Sequence, residues 1–330
     1  MKRWSLSLPL SGLTLAEHEP VIKEAEQLGY TDAWSSEVDG TDAFTPLALT
    51  AAWSQMRVGT AIANVYTRGP LTLANSALSL AETAPGRFVL GLGVASQPIV
   101  ERWNNTPFKK PLQRTRDMVK VLRGALSGER VAEELPTLKV DGIRLSRPVP
   151  EPVPIYLAAL REQMLTLAGE IGDGVIINWL APSDVPKVVK VAKEAAAKAG
   201  KDPETFDVVA RLFTFISDDK ERVQPLARRS ITTYLNVPTY ALFHEWLGRG
   251  GELQAMWESW KAGDRKKALE DIPQKVVDDL IIYGTADECR ERIEEYVEAG
   301  VTVPVIQAFN LMEADPAQGS LKAMRGLAPR

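Results

Sequence analysis

The 330-residue chain has one cysteine, Cys289, and two histidines, His18 and His244. A single cysteine excludes an intramolecular disulfide and fits a reducing compartment, so a cytoplasmic location is expected. Two histidines far apart fit no metal-ligand spacing, and no metal site is expected. His18 reads as an exposed helix residue; His244 falls in a helical stretch that could face a pocket. Basic charge is not in excess. With 39 Lys+Arg against 43 Asp+Glu the net charge is -4, so the footprint of a nucleic-acid binder is missing. No apolar run reaches the roughly 18 residues of a membrane span. The opening MKRWSLSLPLSGL is interrupted by serines, lacks a small-residue cleavage site and reads as a strand. There is no GxSxG elbow and no GxxxxGK[ST] loop. Cys289 lies on an amphipathic pattern and is not expected to react. With so few groups suited to acid–base or nucleophilic work, a bound cofactor is expected to carry the hard chemistry.

What is present is a cadence: an amphipathic helix, a glycine, a short apolar strand. Residues 17–28 bury Val21, Ile22, Ala25 and Leu28 on one face, Gly29 stops the helix, and DAWSS follows. Pro70 opens a second helix, and Thr285 with Glu288 makes a capping box for a late one. Eight strands are expected: Trp4–Leu8, Asp32–Ser36, Val58–Ile62, Phe88–Leu92, Ile155–Ala159, Gly174–Asn178, Val208–Phe213 and Val303–Gln307. Their continuous apolar runs suit parallel strands covered on both faces. Eight strands alternating with helices imply one (β/α)8 TIM barrel over residues 1–330, with a doubly wound sheet as the alternative. Three gaps read as insertions: 94–110 after strand four, 129–153 before strand five, and the helical 217–284 between strands seven and eight. Asp141-Gly142 in the second reads as a hairpin turn.

Barrels of this kind build active sites at the carboxyl ends of their strands. Gly91, Gly93, Val94, Ala95 and Ser96 end strand four and read as a backbone approach to a ligand or as tight packing. Ala61 and Ile62 end strand three, followed by Asn64, Tyr66, Thr67 and Arg68, which could orient a ligand. Glu37 ends strand two and reads as a proton donor or acceptor, or as a rim salt bridge. Asp42 reads as a helix cap. Asn178 and Trp179 end strand six. Arg211 sits inside an apolar strand and needs an anionic ligand, Glu37 or another core carboxylate. Ala158, Ala159, Leu160 and Arg161 precede a helix whose free N–H groups could take a phosphate. Lys109, Lys110, Arg114 and Arg116 form a basic cluster, read as a solvated helix face or as a site for an acidic tail.

The junctions VGTAIANVYTRGP, GRFVLGLGVAS, PIYLAAL and AGEIGDGVIINWLAP resemble the bacterial luciferase-like monooxygenase superfamily, in particular its branch of oxidoreductases that use the deazaflavin coenzyme F420. The resemblance runs over nearly the whole chain. It implies a (β/α)8 barrel, a homodimer, a flavin-type ring at the strand ends and a small-molecule substrate. It also implies a non-proline cis peptide at Ala61-Ile62 backing the ring, ring or side-chain contacts from Val94, Ala95 and Ser96, and a phosphate near residues 158–161. Glu37 would handle a proton, with Asn64, Tyr66 and Asn178 as orienting groups. Two positions depart from the pattern. Arg161-Glu162 replaces the usual Gly-Pro, and Glu37-Val38 replaces the Asp-His pair of sugar-phosphate dehydrogenases, so that activity is not supported. The alternatives are an FMN-dependent monooxygenase served by a separate flavin reductase, and a binding protein without catalysis.

Overall fold

In the computed structural model, which describes residues 3–330, the eight expected runs close into a parallel barrel. The strands are β1 (Ser5–Leu8), β2 (Asp32–Ser35), β3 (Arg57–Thr60), β4 (Phe88–Gly93), β5 (Ile155–Ala158), β6 (Gly174–Asn178), β7 (Asp207–Ile216) and β8 (Val303–Asn310). They pair in chain order, β8 returns to β1, and β7 bridges β6 and β8, so the cylinder has no open edge. Closure rules out the doubly wound alternative. β7 and β8 run past the expected ends, and their extensions pair with each other to Ile216 and Asn310. A short parallel strand missed by the sequence reading, Ile282–Gly284, adds to the far end of β7.

Two apolar layers hold the barrel. Its lumen is filled by Trp34, Val89, Tyr156, Ile176, Val209, Val303 and Val305, and a larger core packs the strands' outer faces against the helices. Gly59 makes room for the lumen plug: a Cβ there would stand 2.4 Å from Cζ3 of Trp34. The amino-terminal end is sealed by charge. The fully buried Asp32 takes bonds from Arg3 and Arg57, and Arg57 reaches Asp207 at 2.9 Å. The Tyr156 hydroxyl donates to the same Asp207. Each buried charge here has a partner, as desolvation requires.

The helix starts follow their expected chemistry. The Asp42 carboxylate accepts from the Phe44 and Thr45 amides and caps helix Thr45–Trp53; those bonds hold its pKa low despite partial burial. Thr285 and Glu288 form the capping box of helix Ala286–Glu298.

Three expectations are corrected. Asp141-Gly142 is not a hairpin turn. It lies inside strand Lys139–Ile143, and the chain reverses at Leu135–Leu138, where the Leu135 amide bonds the Leu138 carbonyl. Gly142 instead supplies the positive φ of a bulge in the pairing with Val131–Glu134. His18 is buried, not exposed: its ring accepts from the Leu10 amide and meets the Thr14 carbonyl. Among the described residues Arg211 pairs with neither Glu37 nor another core carboxylate; it donates to Gln307, which leaves the anionic-ligand alternative.

The insertion 217–284 is helical as expected, with helices Lys220–Leu235, Pro238–Leu247, Gly250–Lys261, Arg265–Glu270 and Gln274–Leu280. It has its own core, which includes Trp179, Phe213 and Phe215 from the carboxyl ends of β6 and β7. The insertion therefore sits over the β6–β7 side of the barrel mouth.

Candidate active site

The mouth is shaped first by a bulge after β3. Val58 and Gly59 pair with Phe88 and Val89, whereas Ala63 and Asn64 pair with Leu92 and Gly93. The β3 side thus carries one extra residue, and it falls at the cis peptide Ala61-Ile62. Thr60 stabilises the offset. Its hydroxyl donates to the Gly91 carbonyl at 2.7 Å and accepts from the Gly91 amide at 2.8 Å, replacing the lost ladder bonds.

Ile62, Gly93 and Ala158 come together here from three neighbouring strands. A Cβ at Gly93 would stand 2.8 Å from Ile62 Cγ1 and 3.0 Å from the Ala158 Cβ. The result is a smooth platform of small and apolar groups, bordered by Val94, Ala95 and Ser96. Ala95 adopts a left-handed φ of 54° and Trp179 one of 55°. Non-glycine residues in that region are uncommon and gather at functional sites. Glycine at 93 is what lets Ile62 and Ala158 close over the strand ends this tightly.

Beside the platform lies a cleft of about 350 Å³, lined by Glu37, Asn64, Thr67, Arg68, Thr72 and Ile99 among others. Arg68 holds Glu37 in a fork, with Nε at 3.0 Å from both carboxylate oxygens and Nη2 at 2.6 Å from Oε1. Arg68 also stacks on Phe44, and the bonds from Glu37 raise its pKa against the opposing effect of burial. Asn64 is 1% exposed, and its Oδ1 accepts from the Tyr66 amide. Its NH2 group makes no hydrogen bond among the described residues. The Tyr66 hydroxyl turns away to donate to the Lys109 carbonyl at 2.6 Å, tying the β3 loop to the segment after β4.

The remaining sequence-selected residues are placed as follows. Helix Glu162–Ile171 starts just past β5 with no side-chain cap, and Arg161 is exposed at its N-cap. Trp179 packs its indole against Phe213 and Tyr234, each with ring centroids 4.5 Å away. Asn178 donates from Nδ2 to the Tyr240 hydroxyl at 3.1 Å, and burial pushes the Tyr240 phenol up to about 12. The basic cluster does structural work: Arg114 bonds the Val65 and Thr137 carbonyls and covers Tyr66, and Arg116 pairs with Glu170.

Sequence reasoning missed Gln307 as a mouth residue, although its place two residues beyond the lumen-facing Val305 signals it. Tyr240 had no such signal, because its helix has no strand register. His244 is fully buried. Burial, with Arg249 nearby, pushes its pKa down to about 3. Cys289 is buried, and burial raises its thiol to about 12. Among the described residues no cluster of three or more His, Cys, Asp or Glu could hold a metal, and no helix is long and apolar enough to cross a membrane.

The family model described as luciferase-like monooxygenase matches residues 5–303. A 5,10-methylenetetrahydromethanopterin reductase of Methanolobus tindarius is 30% identical, over 88% of this chain and 91% of the relative. A Mycobacterium tuberculosis protein with the provisional name coenzyme F420-dependent oxidoreductase is 28% identical, over 94% of this chain and 93% of its own. Among solved structures, the coenzyme F420-dependent tetrahydromethanopterin reductase of Methanopyrus kandleri superposes with a TM-score of 0.78 at 23% identity, covering 98% of this chain and 97% of the other. The chain belongs to the luciferase-like monooxygenase family.

Proposed function

We propose that this member of the luciferase-like family is an oxidoreductase that moves a hydride between coenzyme F420 and a small organic substrate. The observation that carries the reading is the Ile62–Gly93–Ala158 platform, a surface of small and apolar groups at the strand ends whose close packing needs a residue without a side chain at position 93. Kinship supports the deazaflavin as the ring it takes, since relatives along nearly the full length carry reductase and F420-dependent oxidoreductase names.

Bound there, the deazaflavin supplies a ring carbon that gives or accepts a hydride. Ala61 and Ile62 back the ring. Val94, Ala95 and Ser96 offer backbone and small side chains at its edge. Ala158, Ala159, Leu160 and the uncapped start of helix Glu162–Ile171 hold the phosphate, with Arg161 adding the charge that a glycine would not. Asn64 orients ligand through its free NH2 group, Tyr66 fixes the loop that carries it, and Asn178 and Trp179 form the facing wall. Glu37 gives or takes the proton that accompanies the hydride. The insertion excludes water from the β6–β7 side. The reading extends to a homodimer in the cytoplasm, and light scattering checks the first of these.

Fluorescence titration with F420, FMN and FAD tests the reading. Saturable F420 binding, with F420-dependent reduction or oxidation of a substrate panel, is expected. Tight FMN binding without F420 binding, together with oxygen uptake on reduced FMN, would overturn it in favour of a monooxygenase. F420 binding without turnover across a broad panel would favour a binding protein.

A further inference from the structure

The wall opposite the platform carries a charge that the fold leaves without a counter-ion. Arg211 of β7 lies two residues beyond Val209, which fills the lumen, so its side chain also points inward. Its register partners are Asn178 on β6 and the lumen-facing Val305 on β8. Gln307, two residues past Val305, shares the same face. One tier above the apolar plug, the β6–β8 side therefore presents Asn178, Arg211 and Gln307, with Tyr240 leaning in from the insertion onto Asn178.

Arg211 is half-buried, and its hydrogen bond is to a neutral amide: Nη2 donates to Gln307 Oε1 at 3.0 Å. No carboxylate lies within ion-pair distance of it among the described residues. Half-buried Arg87 and Arg114 also lack a carboxylate, but backbone carbonyls take their hydrogen bonds; three others are paired. Arg57 has Asp32 and Asp207, Arg68 has Glu37, and Arg249 has Asp184. A partly desolvated guanidinium without an anion is costly to fold around, and its planar fork matches a carboxylate in two parallel bonds. Because Gln307 accepts from Arg211 through Oε1, its NH2 group is left to donate. The site thus offers a cation and an amide donor and no competing anion.

Position fixes which molecule meets it. In a cylinder of eight strands β7 stands across from β3, and β8 across from β4. Arg211 and Gln307 therefore face Ile62 and Gly93 over the mouth, on the side of the ring away from its platform. We propose that Arg211, with Gln307 and Asn178, binds a carboxylate of the substrate and that this enzyme acts on small carboxylic acids. This rests on the platform holding the cofactor ring.

Calorimetric titration with benzoate and with its neutral isostere benzamide tests the proposal, on F420-loaded and cofactor-free protein. In the loaded protein, benzoate is expected to bind about tenfold or more tightly than benzamide, the scale of one charge-assisted pair. Arg211→Met is expected to erase that preference and Arg211→Lys to keep part of it. Unfolding midpoints should hold or rise in Arg211→Met, since no ion pair is lost. Equal affinities, no benzoate binding, or a preference that survives Arg211→Met would each overturn the proposal. The F420 titration on the same samples separates the two readings: lost F420 binding with intact benzoate preference would sink the cofactor assignment and leave the anion site standing.

Discussion

Thr60 and Gly91 exchange two hydrogen bonds through one hydroxyl, which donates to the Gly91 carbonyl and accepts from the Gly91 amide. This exchange lets β3 carry its extra residue without orphaning buried backbone. A Cβ at Gly91 would stand 1.8 Å from the Thr60 carbonyl oxygen, so both partners are constrained. Thr60→Val keeps the shape and removes the hydroxyl, leaving a buried amide and carbonyl unpaired. At about 1–3 kcal/mol for each such group, a loss of about 2–6 kcal/mol is expected in urea unfolding, with weaker F420 binding from a loosened bulge.

The platform itself gives a sharper test. Gly93→Val places a branched side chain where even a Cβ is 2.8 Å from Ile62 and 3.0 Å from Ala158. Overpacking of this kind costs about 1–3 kcal/mol. F420 affinity in the fluorescence titration should fall by more than the unfolding midpoint accounts for, because the added methyls displace Ile62 and Ala158, which form the proposed platform. Gly93→Ala should fall between. Unchanged F420 affinity in Gly93→Val would remove the platform from the site.

Much of this was legible in the sequence because strands buried on both faces leave an apolar signature that helices and turns punctuate. The eight runs, the capping Asp42 and the small residues after β3 and β4 all follow from local chemistry. What escaped was decided by distant residues. Gly142 reads as a turn from its neighbours alone, yet it relieves a bulge whose partner strand lies across a different reversal. His18 carries an exposed-helix pattern, but its ring serves the Leu10 amide in the loop before the helix. Arg211 was flagged by its apolar surroundings, while its neutral partner is 96 residues away on β8. Tyr240 comes from a helix whose contact with Asn178 no local pattern encodes.

The fork between Arg68 and Glu37 lines the cleft, and the proposed proton role of Glu37 is tested there. Glu37→Gln keeps an acceptor for Arg68 but cannot carry a proton. A fall in kcat of about a hundredfold or more is expected, the usual scale for loss of a general acid or base, with KM changed little and the fold intact. Arg68→Met should behave differently. It strips three bonds from a carboxylate that is 21% exposed, so a stability loss of about 1–3 kcal/mol accompanies the loss of activity. A Glu37→Gln enzyme with wild-type kcat would assign the carboxylate to holding Arg68 alone.

His244 makes stability depend on pH. The ring is fully buried. Burial, then the positive charge of Arg249, lowers its pKa from 6.5 to about 3, opposed weakly by the Trp179 backbone. Between those values the unfolded chain binds a proton that the folded chain refuses. Stability from this group is therefore complete above about pH 6.5 and drains as pH falls towards 3, at up to about 1.4 kcal/mol per pH unit. Asp184 and Asp279 are the ion-pair partners of Arg249. His244→Leu removes the titrating ring while keeping an apolar side chain. Urea midpoints measured at pH 7.5 and pH 5 should differ less in that variant than in the wild type, with the variant equal or more stable at pH 5. An identical pH slope in both proteins would place the acid sensitivity elsewhere.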